Sequence, residues 1–488
     1  MKRRSFVPLL LLFAACGDPT ANVLLEGSVE RDLDVISGDT LRIGVIEDAL
    51  TWEERTYGDA GLEWDLLTAF AEAHHLAMVP VPMDSLGQLR DALRLGRVDV
   101  IAAQLGEGTL SGTVIINSLP YAAVYPVALL RRPADAKRKI PVDTVQLPMA
   151  SAFSTVDPSP GQQFTEAVPI GSSATASDLI DRVVLGKDDA VIVTHLAAAR
   201  AMEQFPHLGG RRWSTNERSL VFALRGNAPK LIAALNAHLA DEDVKSTLSS
   251  ELDDLRFTER SGPYGSSTPA VRGDTISGFD KLFRRVADSL GLDWHLLAAI
   301  AFRESRFDSA AGSHMGAQGL MQLMPETAAR FSGQSKPGLE GHVIGAAVYL
   351  RELDKLWQRS VGDRQQRQRF VLASYNAGEA HIQDAQRLAV HFGLRGDRWE
   401  NHVERALLLL SCPRHWRKPP VRNGFCKGAE TFRFVRNVIG TWAYFGSVPD
   451  EEVLPDTLDV SLPLDSPVHP TGTQVKPDTA SGAAAGGG

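Results

Sequence analysis

The stretch Leu292-Asp293-Trp294-His295-Leu296-Leu297-Ala298-Ala299-Ile300-Ala301-Phe302-Arg303-Glu304-Ser305-Arg306-Phe307 decides the reading of the second half of this chain. Asp293 can cap a helix that starts at Trp294, because its carboxylate can accept a free first-turn N–H. Leu297, Ile300 and Ala301 then share one face. Glu304, seven residues after Leu297 and four after Ile300, projects from that apolar face near the helix end. A carboxylate there is desolvated and its pKa is expected to rise, which suits a general acid that keeps its proton near neutral pH. Alone, the helix favours a plainer reading, a partly exposed Glu paired with Arg303 or Arg306.

The residues downstream shift that balance. Ser313-His314-Met315-Gly316-Ala317-Gln318-Gly319-Leu320-Met321-Gln322 combines two glycines, which let backbone approach a ligand, with a hydroxyl and an amide suited to sugar recognition. Ser374-Tyr375-Asn376-Ala377-Gly378 and Glu430-Thr431 follow. Each alone is a turn or a buried polar residue; in this order they form a specific set.

Working outward, residues 276–445 keep the helical period and hold few β-branched runs, whereas residues 39–258 alternate strand-like runs with helical ones. Leu41-Arg42-Ile43-Gly44-Val45-Ile46, Val98-Asp99-Val100-Ile101-Ala102 and Ala190-Val191-Ile192-Val193 are strand-like, and Leu62 to Leu76 is helical. That alternation predicts an α/β domain with mainly parallel sheets. Residues 259–275 are rich in Gly, Pro and Ser and read as a linker, and the Pro-, Thr-, Gly- and Ala-rich 448–488 as a disordered tail.

Charge divides the chain. Residues 276–447 hold 24 Lys and Arg against 16 Asp and Glu, while the remainder holds 27 against 43. A basic segment in an acidic protein suits a polyanion such as peptidoglycan. No Lys/Arg run interleaves with aromatics, so nucleic acid is not expected. At the N-terminus, Lys2, Arg3 and Arg4 precede a short apolar run, and Ala14-Ala15-Cys16 ends it. The run is too short to span a bilayer, so residues 1–15 read as a secretory signal. The Ala-Ala-Cys end resembles a lipobox, departing from it at Phe13, which implies lipid attachment at Cys16. Gly17 lacks the inner-membrane retention Asp, favouring the outer membrane, and 16–38 reads as a linker behind the anchor.

Residues 276–447 resemble the SLT catalytic domain of soluble-type lytic transglycosylases, through Glu304-Ser305, Gly319-Leu320-Met321-Gln322, Tyr349-Leu350, Tyr375-Asn376-Ala377-Gly378 and Glu430-Thr431. The resemblance implies an α-helical, lysozyme-like domain. Residues 39–258 resemble family-3 solute-binding proteins, through Gly61 to Leu67, Leu93 to Asp99, Ser118-Leu119-Pro120-Tyr121 and Gly171-Ser172-Ser173, implying a two-lobed periplasmic-binding-protein-like α/β domain. By the same resemblance Glu304 serves in turn as acid and base on the bond between N-acetylmuramic acid and N-acetylglucosamine. The muramic C6 hydroxyl attacks, leaving a 1,6-anhydro end without water. Ser313, Met321, Gln322 and Tyr375 are implied to contact sugar or position Glu304, with Asn376 and Glu430 supporting the groove. Phe434 and His342 depart from the family pattern and bear on sugar contacts rather than on the reaction. Asp308, one turn on from Glu304, is not expected to be its partner. Other readings left open are a hydrolase of peptidoglycan or chitin, and a solute sensor with an inactive helical domain.

No cofactor is implied. Cys412 and Cys426 flank a Pro- and Arg-rich segment unlikely to hold itself as a helix, and in an oxidising compartment they are expected to form a disulfide that lets the basic loop line the groove. In the first domain, the family's ligand-carboxylate Arg, upstream of Tyr121, is replaced by Ser111. A hydroxyl cannot replace bidentate guanidinium pairing. The domain is therefore expected not to take free α-amino acids in the usual way, but to bind a peptidoglycan fragment or clamp the catalytic domain. Trp64 and Asp65 remain as candidate cleft residues, suited to an amine or an apolar group rather than to a carboxylate.

Overall fold

The computed structural model describes residues 31–55, 58–110, 114–132, 146–149, 153, 166–169, 175–258, 275–313, 316–331 and 338–447. The leader, Cys16, the rest of the linker up to residue 30, Ser111, Gly171 to Ser173, residues 259–274 and the tail lie outside them.

The first lobe contains α1 (Leu33–Ile36), β1 (Thr40–Val45), the hairpin β2 (Glu53–Arg55) and β3 (Gly58–Ala60), α2 (Leu62–Ala73), β4 (Ala77–Pro82) and α3 (Leu86–Arg94). It continues with β5 (Val100–Gly106), β6 (Ile115–Asn117) and β7 (Ala122–Val124). The second lobe holds β8 (Pro126–Arg131), β9 (Gln146–Met149), β10 (Glu166–Pro169), α4 (Ala176–Leu185), β11 (Ala190–Thr194), α5 (His195–Gln204) and β12 (Leu208–Arg212). The chain then returns to the first lobe as β13 (Arg218–Arg225), with α6 (Pro229–Ala240) and α7 (Glu242–Asp254).

Among the described residues, one sheet runs β4-β1-β5-β13-β6 and the other β10-β9-β11-β8-β12. β1 is parallel to β4 and β5, while β13 is antiparallel to β5. The sheets are mixed rather than mainly parallel, since β8 is also antiparallel to β11 and β12; the edge strand β4 is partly exposed, while every residue of the central β5 and β11 is buried between helices. The chain crosses between the sheets at Tyr125 and after β12. Tyr125 stacks on His195, with ring centroids 4.1 Å apart, and carries the Arg212 guanidinium 3.9 Å from its ring.

Residues 31–38, read from sequence as linker, belong to the fold. Arg31 Nε donates to Asp99 Oδ1 at 3.0 Å. Asp32 accepts from the Lys230 and Leu231 N–H groups at 3.1 and 2.8 Å. Those are free first-turn donors of α6, whose N-cap Ala228 offers no side-chain cap. Partners so far along the chain leave no local pattern, which is why the segment looks like a spacer.

Glu63, on the first turn of α2, is fully buried. It accepts from the Gln104 N–H at 3.0 Å and the Tyr121 hydroxyl at 2.6 Å. Burial, opposed by those donors and reinforced by the Asp48 charge, pushes its pKa up to about 7 from an ordinary 4.5. A carboxyl raised by folding stabilises the fold fully below its unfolded pKa and loses that contribution as pH climbs through the folded value. The loss falls between pH 4.5 and about 7. Glu63→Gln should flatten the fall in thermal midpoint across that window; an unchanged slope would refute the assignment.

The second unit is helical: α8 (Asp280–Leu290), α9 (Trp294–Ser305), α10 (Pro325–Phe331), α11 (Leu339–Gln358), α12 (Arg364–Ala377) and α13 (Glu379–His391). A π-helical turn at Trp399–Val403 leads to α14 (Glu404–Leu409), α15 (Pro413–Trp416) and α16 (Gly428–Phe445). Leu297, Ala298, Ala299, Ile300 and Ala301 of α9 are wholly buried, where α9 packs on α8 and α16.

The expected disulfide is absent: Cys412 and Cys426 are separate buried thiols. Their loop is held by another device. Buried Asp384 accepts from the Arg422 and Asn423 N–H groups at 2.9 and 2.7 Å and pairs with Arg387. Two of the loop's backbone donors are thus satisfied from α13. Of the basic segment, Arg414 and Arg417 reach into the α/β domain rather than lining a groove at Glu304.

Candidate active site

Glu304 sits in the last turn of α9, before Arg306 and Phe307, both with positive φ (54° and 67°), turn the chain away. Its carboxyl is half-buried, and among the described residues no hydrogen bond or ion pair reaches it. The flanking Arg303 points elsewhere, donating through Nε to Thr441 Oγ1 at 2.8 Å. Arg306 is exposed. The plain pairing is therefore not what Glu304 does. Burial, then the charge of Glu430, pushes its pKa up to about 8. At neutral pH the carboxyl keeps its proton.

The end of α12 supports this corner, each polar residue of Ser374-Tyr375-Asn376 tying the helix to a different neighbour. Ser374 Oγ accepts from Trp357 Nε1 at 2.9 Å, the buried Tyr375 hydroxyl donates to the Met321 carbonyl at 2.7 Å, and Asn376 Oδ1 accepts from Thr431 Oγ1 at 2.7 Å. Tyr375 lies beside Glu304: burial and then the Glu304 charge raise its pKa well above the usual phenol value. Asn376 with Thr431 fixes the first turn of α16, which carries exposed Glu430.

The loop from Ala311 to Leu323 closes the site from the other side. Ser305 Oγ donates to Leu320 O at 2.8 Å, stitching the loop to the end of α9. Gln322, at φ 48°, spends its amide N–H groups inside the loop, donating to Ala311 O and Gly319 O at 2.9 and 2.8 Å. Ser313 is exposed, and its Oγ accepts from the Ala317 N–H at 2.9 Å. Met321 is wholly buried, and its carbonyl is taken up by the Tyr375 hydroxyl. Gly319 was expected to let a ligand approach; instead a Cβ there would meet His342 Nδ1 at 2.6 Å, so the glycine makes room for α11. Asp308 is exposed and caps the Ala310 N–H at 2.9 Å.

Tyr349, quoted above in the Tyr349-Leu350 stretch but without a role, and Phe331, absent from every motif, also stand at the site. Their rings stack with centroids 4.9 Å apart, and Tyr349 lies 5.7 Å from Tyr375, extending an aromatic wall away from Glu304. Beside that stretch, the spacing of seven between His342 and Tyr349 on α11 was a further signal, since it puts both on one face of the helix.

In the α/β domain, the expected cleft residues are not in the cleft. Trp64 is buried against Trp52, centroids 6.3 Å apart, and Asp65 is exposed on the outer side of α2. The crevice between the lobes is lined instead by Glu47, Trp52, Met83, Ser177 and Asp181.

The model of the Transglycosylase SLT domain family matches residues 281–393. A curated relative in Maricaulis maris, named membrane-bound lytic murein transglycosylase F, is 31% identical over 398 residues, spanning 78% of this chain and 84% of that protein. One of the same name in Shewanella woodyi is 25% identical over 405 residues, 82% of this chain and 83% of that protein. Among solved structures, an amino-acid ABC transporter substrate-binding protein of Streptococcus pneumoniae is 16% identical with a TM-score of 0.37, covering 46% of this chain and 97% of that one.

Proposed function

We infer the chemistry from one premise: the chain belongs to the membrane-bound lytic murein transglycosylase F family, and it is a peptidoglycan lytic transglycosylase of the cell envelope. The reaction we propose runs through Glu304 alone. Its proton goes to the glycosidic oxygen between N-acetylmuramic acid and N-acetylglucosamine, and the bond to the anomeric carbon breaks. The resulting carboxylate then takes the proton of the muramic C6 hydroxyl as that oxygen bonds to the anomeric carbon. The product is a 1,6-anhydromuramoyl end. One observation supports this reading: a half-buried carboxyl that no hydrogen bond or ion pair reaches among the described residues, its pKa raised by burial to about 8. Tyr375 acts as a positioning residue through the Met321 carbonyl, and Asn376 holds the segment that carries Glu430. Ser313 and Gln322 stand at the rim, where the Ser313 hydroxyl and the Gln322 carbonyl oxygen can meet sugar.

Hydrolysis is the second reading, because Glu430 lies near enough to raise the Glu304 pKa and hydrolytic glycosidases work with two carboxylates. Mass spectrometry of digested sacculi separates the two. Anhydro ends are expected; reducing ends carrying added water would overturn the proposal.

We also propose that the chain is lipid-anchored at Cys16, on the outer membrane. Among the described residues no helix is long and apolar enough to cross a membrane. Cys16→Ser should move the enzyme from the membrane fraction to the soluble periplasm. Identical fractionation of mutant and wild type would rule the anchor out.

A further inference from the structure

The crevice between the lobes opens at the carboxyl ends of β1 and β4 and at the start of α4, the place where open α/β sheets take ligands. It encloses about 520 Å³. One wall belongs to neither lobe: Arg414, His415, Arg417 and Lys418, on and just after α15, come from the helical unit.

Arg414 reaches furthest in. Its Nε and Nη2 donate to the two oxygens of Asp181 at 3.2 and 2.6 Å, a side-by-side pairing of guanidinium with carboxylate. His415 Nε2 lies 2.7 Å from Asp181 Oδ2. The Arg414 and Asp181 side chains are only 17% and 14% exposed. Arg414 also lines a second, smaller cavity, with Asp48 and Gln104 of the first lobe and Ser177 and Gln204 of the second. One guanidinium thus stands between both lobes, where a bound solute would stand. Burial pushes the Asp181 carboxyl up, but Arg414 and His415 together hold it far below the usual carboxylate range. Neighbouring contacts fix the approach. Arg417 Nη1 donates to Glu54 Oε2 at 2.7 Å, and Gln204 Nε2 donates to Ser411 Oγ at 3.2 Å. None of these residues belongs to the groove around Glu304.

We propose that the interlobe crevice is a guanidinium-binding site which the chain fills with its own Arg414, so that the helical unit is held on the α/β domain as a tethered ligand. The ligand class follows from the polar groups that meet there. Asp181 offers two parallel acceptors, a set that matches a planar guanidinium and not a compact ammonium, while Asp48 spends its oxygens on the Leu50 and Thr51 N–H groups and on Gln104 Nε2. A free monosubstituted guanidinium competes with Arg414 for the same place.

The test titrates the full chain with methylguanidinium chloride, with methylammonium chloride as the control. Arg414→Ala empties the slot. It should bind methylguanidinium about 10²-fold more tightly than wild type, in which the tethered side chain competes at high effective concentration. Its thermal midpoint should rise with methylguanidinium and not with methylammonium. Adding Asp181→Asn should abolish both gains. Equal affinity in wild type and Arg414→Ala, an equal response to methylammonium, or a gain that survives Asp181→Asn would each overturn the proposal. Arg414→Lys keeps a cation in the slot and covers the case in which the alanine variant does not fold. It too should bind methylguanidinium more tightly than wild type, and equal affinity there overturns the proposal as well.

Discussion

Glu304→Gln is expected to lower muropeptide release by about 10²–10⁴-fold, the usual contribution of a positioned acid and base, while leaving the fold intact. The amide has nearly the same shape and breaks no hydrogen bond, since none reaches the carboxyl among the described residues. It cannot give a proton to the glycosidic oxygen or take one from a hydroxyl. The wild-type rate should fall as pH rises through about 8, where the acid is lost. Stability has the same origin and a definite sign. A carboxyl raised from 4.5 to about 8 by folding withdraws its stabilisation as pH climbs between those values. Glu304→Gln should therefore gain in thermal midpoint over wild type at pH 9 and match it at pH 4. Muropeptide release by the variant within tenfold of wild type, with the midpoint difference independent of pH, would remove Glu304 from the mechanism.

Asp99→Ala is expected to destabilise the α/β domain by ~3–5 kcal/mol, because it strips the counter-charge from buried arginines. Asp99 has no exposed side-chain surface, and it accepts from Arg31 Nε at 3.0 Å, Arg42 Nε at 3.1 Å and Arg225 Nη2 at 3.5 Å. The Arg225 side chain is itself wholly buried, bound also to Val98 O and Arg31 O at 2.6 and 3.1 Å. Without Asp99, three guanidinium groups face one another around an apolar gap. Asp99→Asn keeps the volume but not the charge and should lose most of the same stability. Burial alone would raise the Asp99 pKa, but Arg42 and Arg31 hold it below the ordinary range. Its contribution is therefore present above that range and lost as pH falls through the folded value. Urea denaturation at neutral pH measures the effect, and a loss under about 1 kcal/mol would show that the arginines find other partners.

Much of this architecture was legible because periodicity and capping act between near neighbours. The α9 face, the Asp293 cap, whose carboxylate accepts from the His295 N–H at 2.9 Å, and the position of Glu304 on that face all follow from spacings of a few residues. The strand runs around Ile43, Val100 and Ile192 could be read for the same reason: each is a short run rich in apolar, β-branched residues. The motif residues were legible in type and not in use. Gln322 and Ser313 are polar as sugar contacts must be, yet they serve the loop's own turns, because an αL backbone leaves N–H and C=O groups that some local side chain must satisfy.

The sequence by itself therefore determined the α/β and helical halves, and which carboxyl sits on an apolar face. The tertiary structure alone decided who meets whom. It joined Tyr375 to the Met321 carbonyl, Asp32 to the start of α6, and Arg414 to Asp181, and it left Cys412 and Cys426 as free thiols. A hydrophobic period records only which face is buried. The pairing of two polar groups far apart in the chain depends on where both faces come to rest, and the low dielectric there turns each such pairing into a strong constraint.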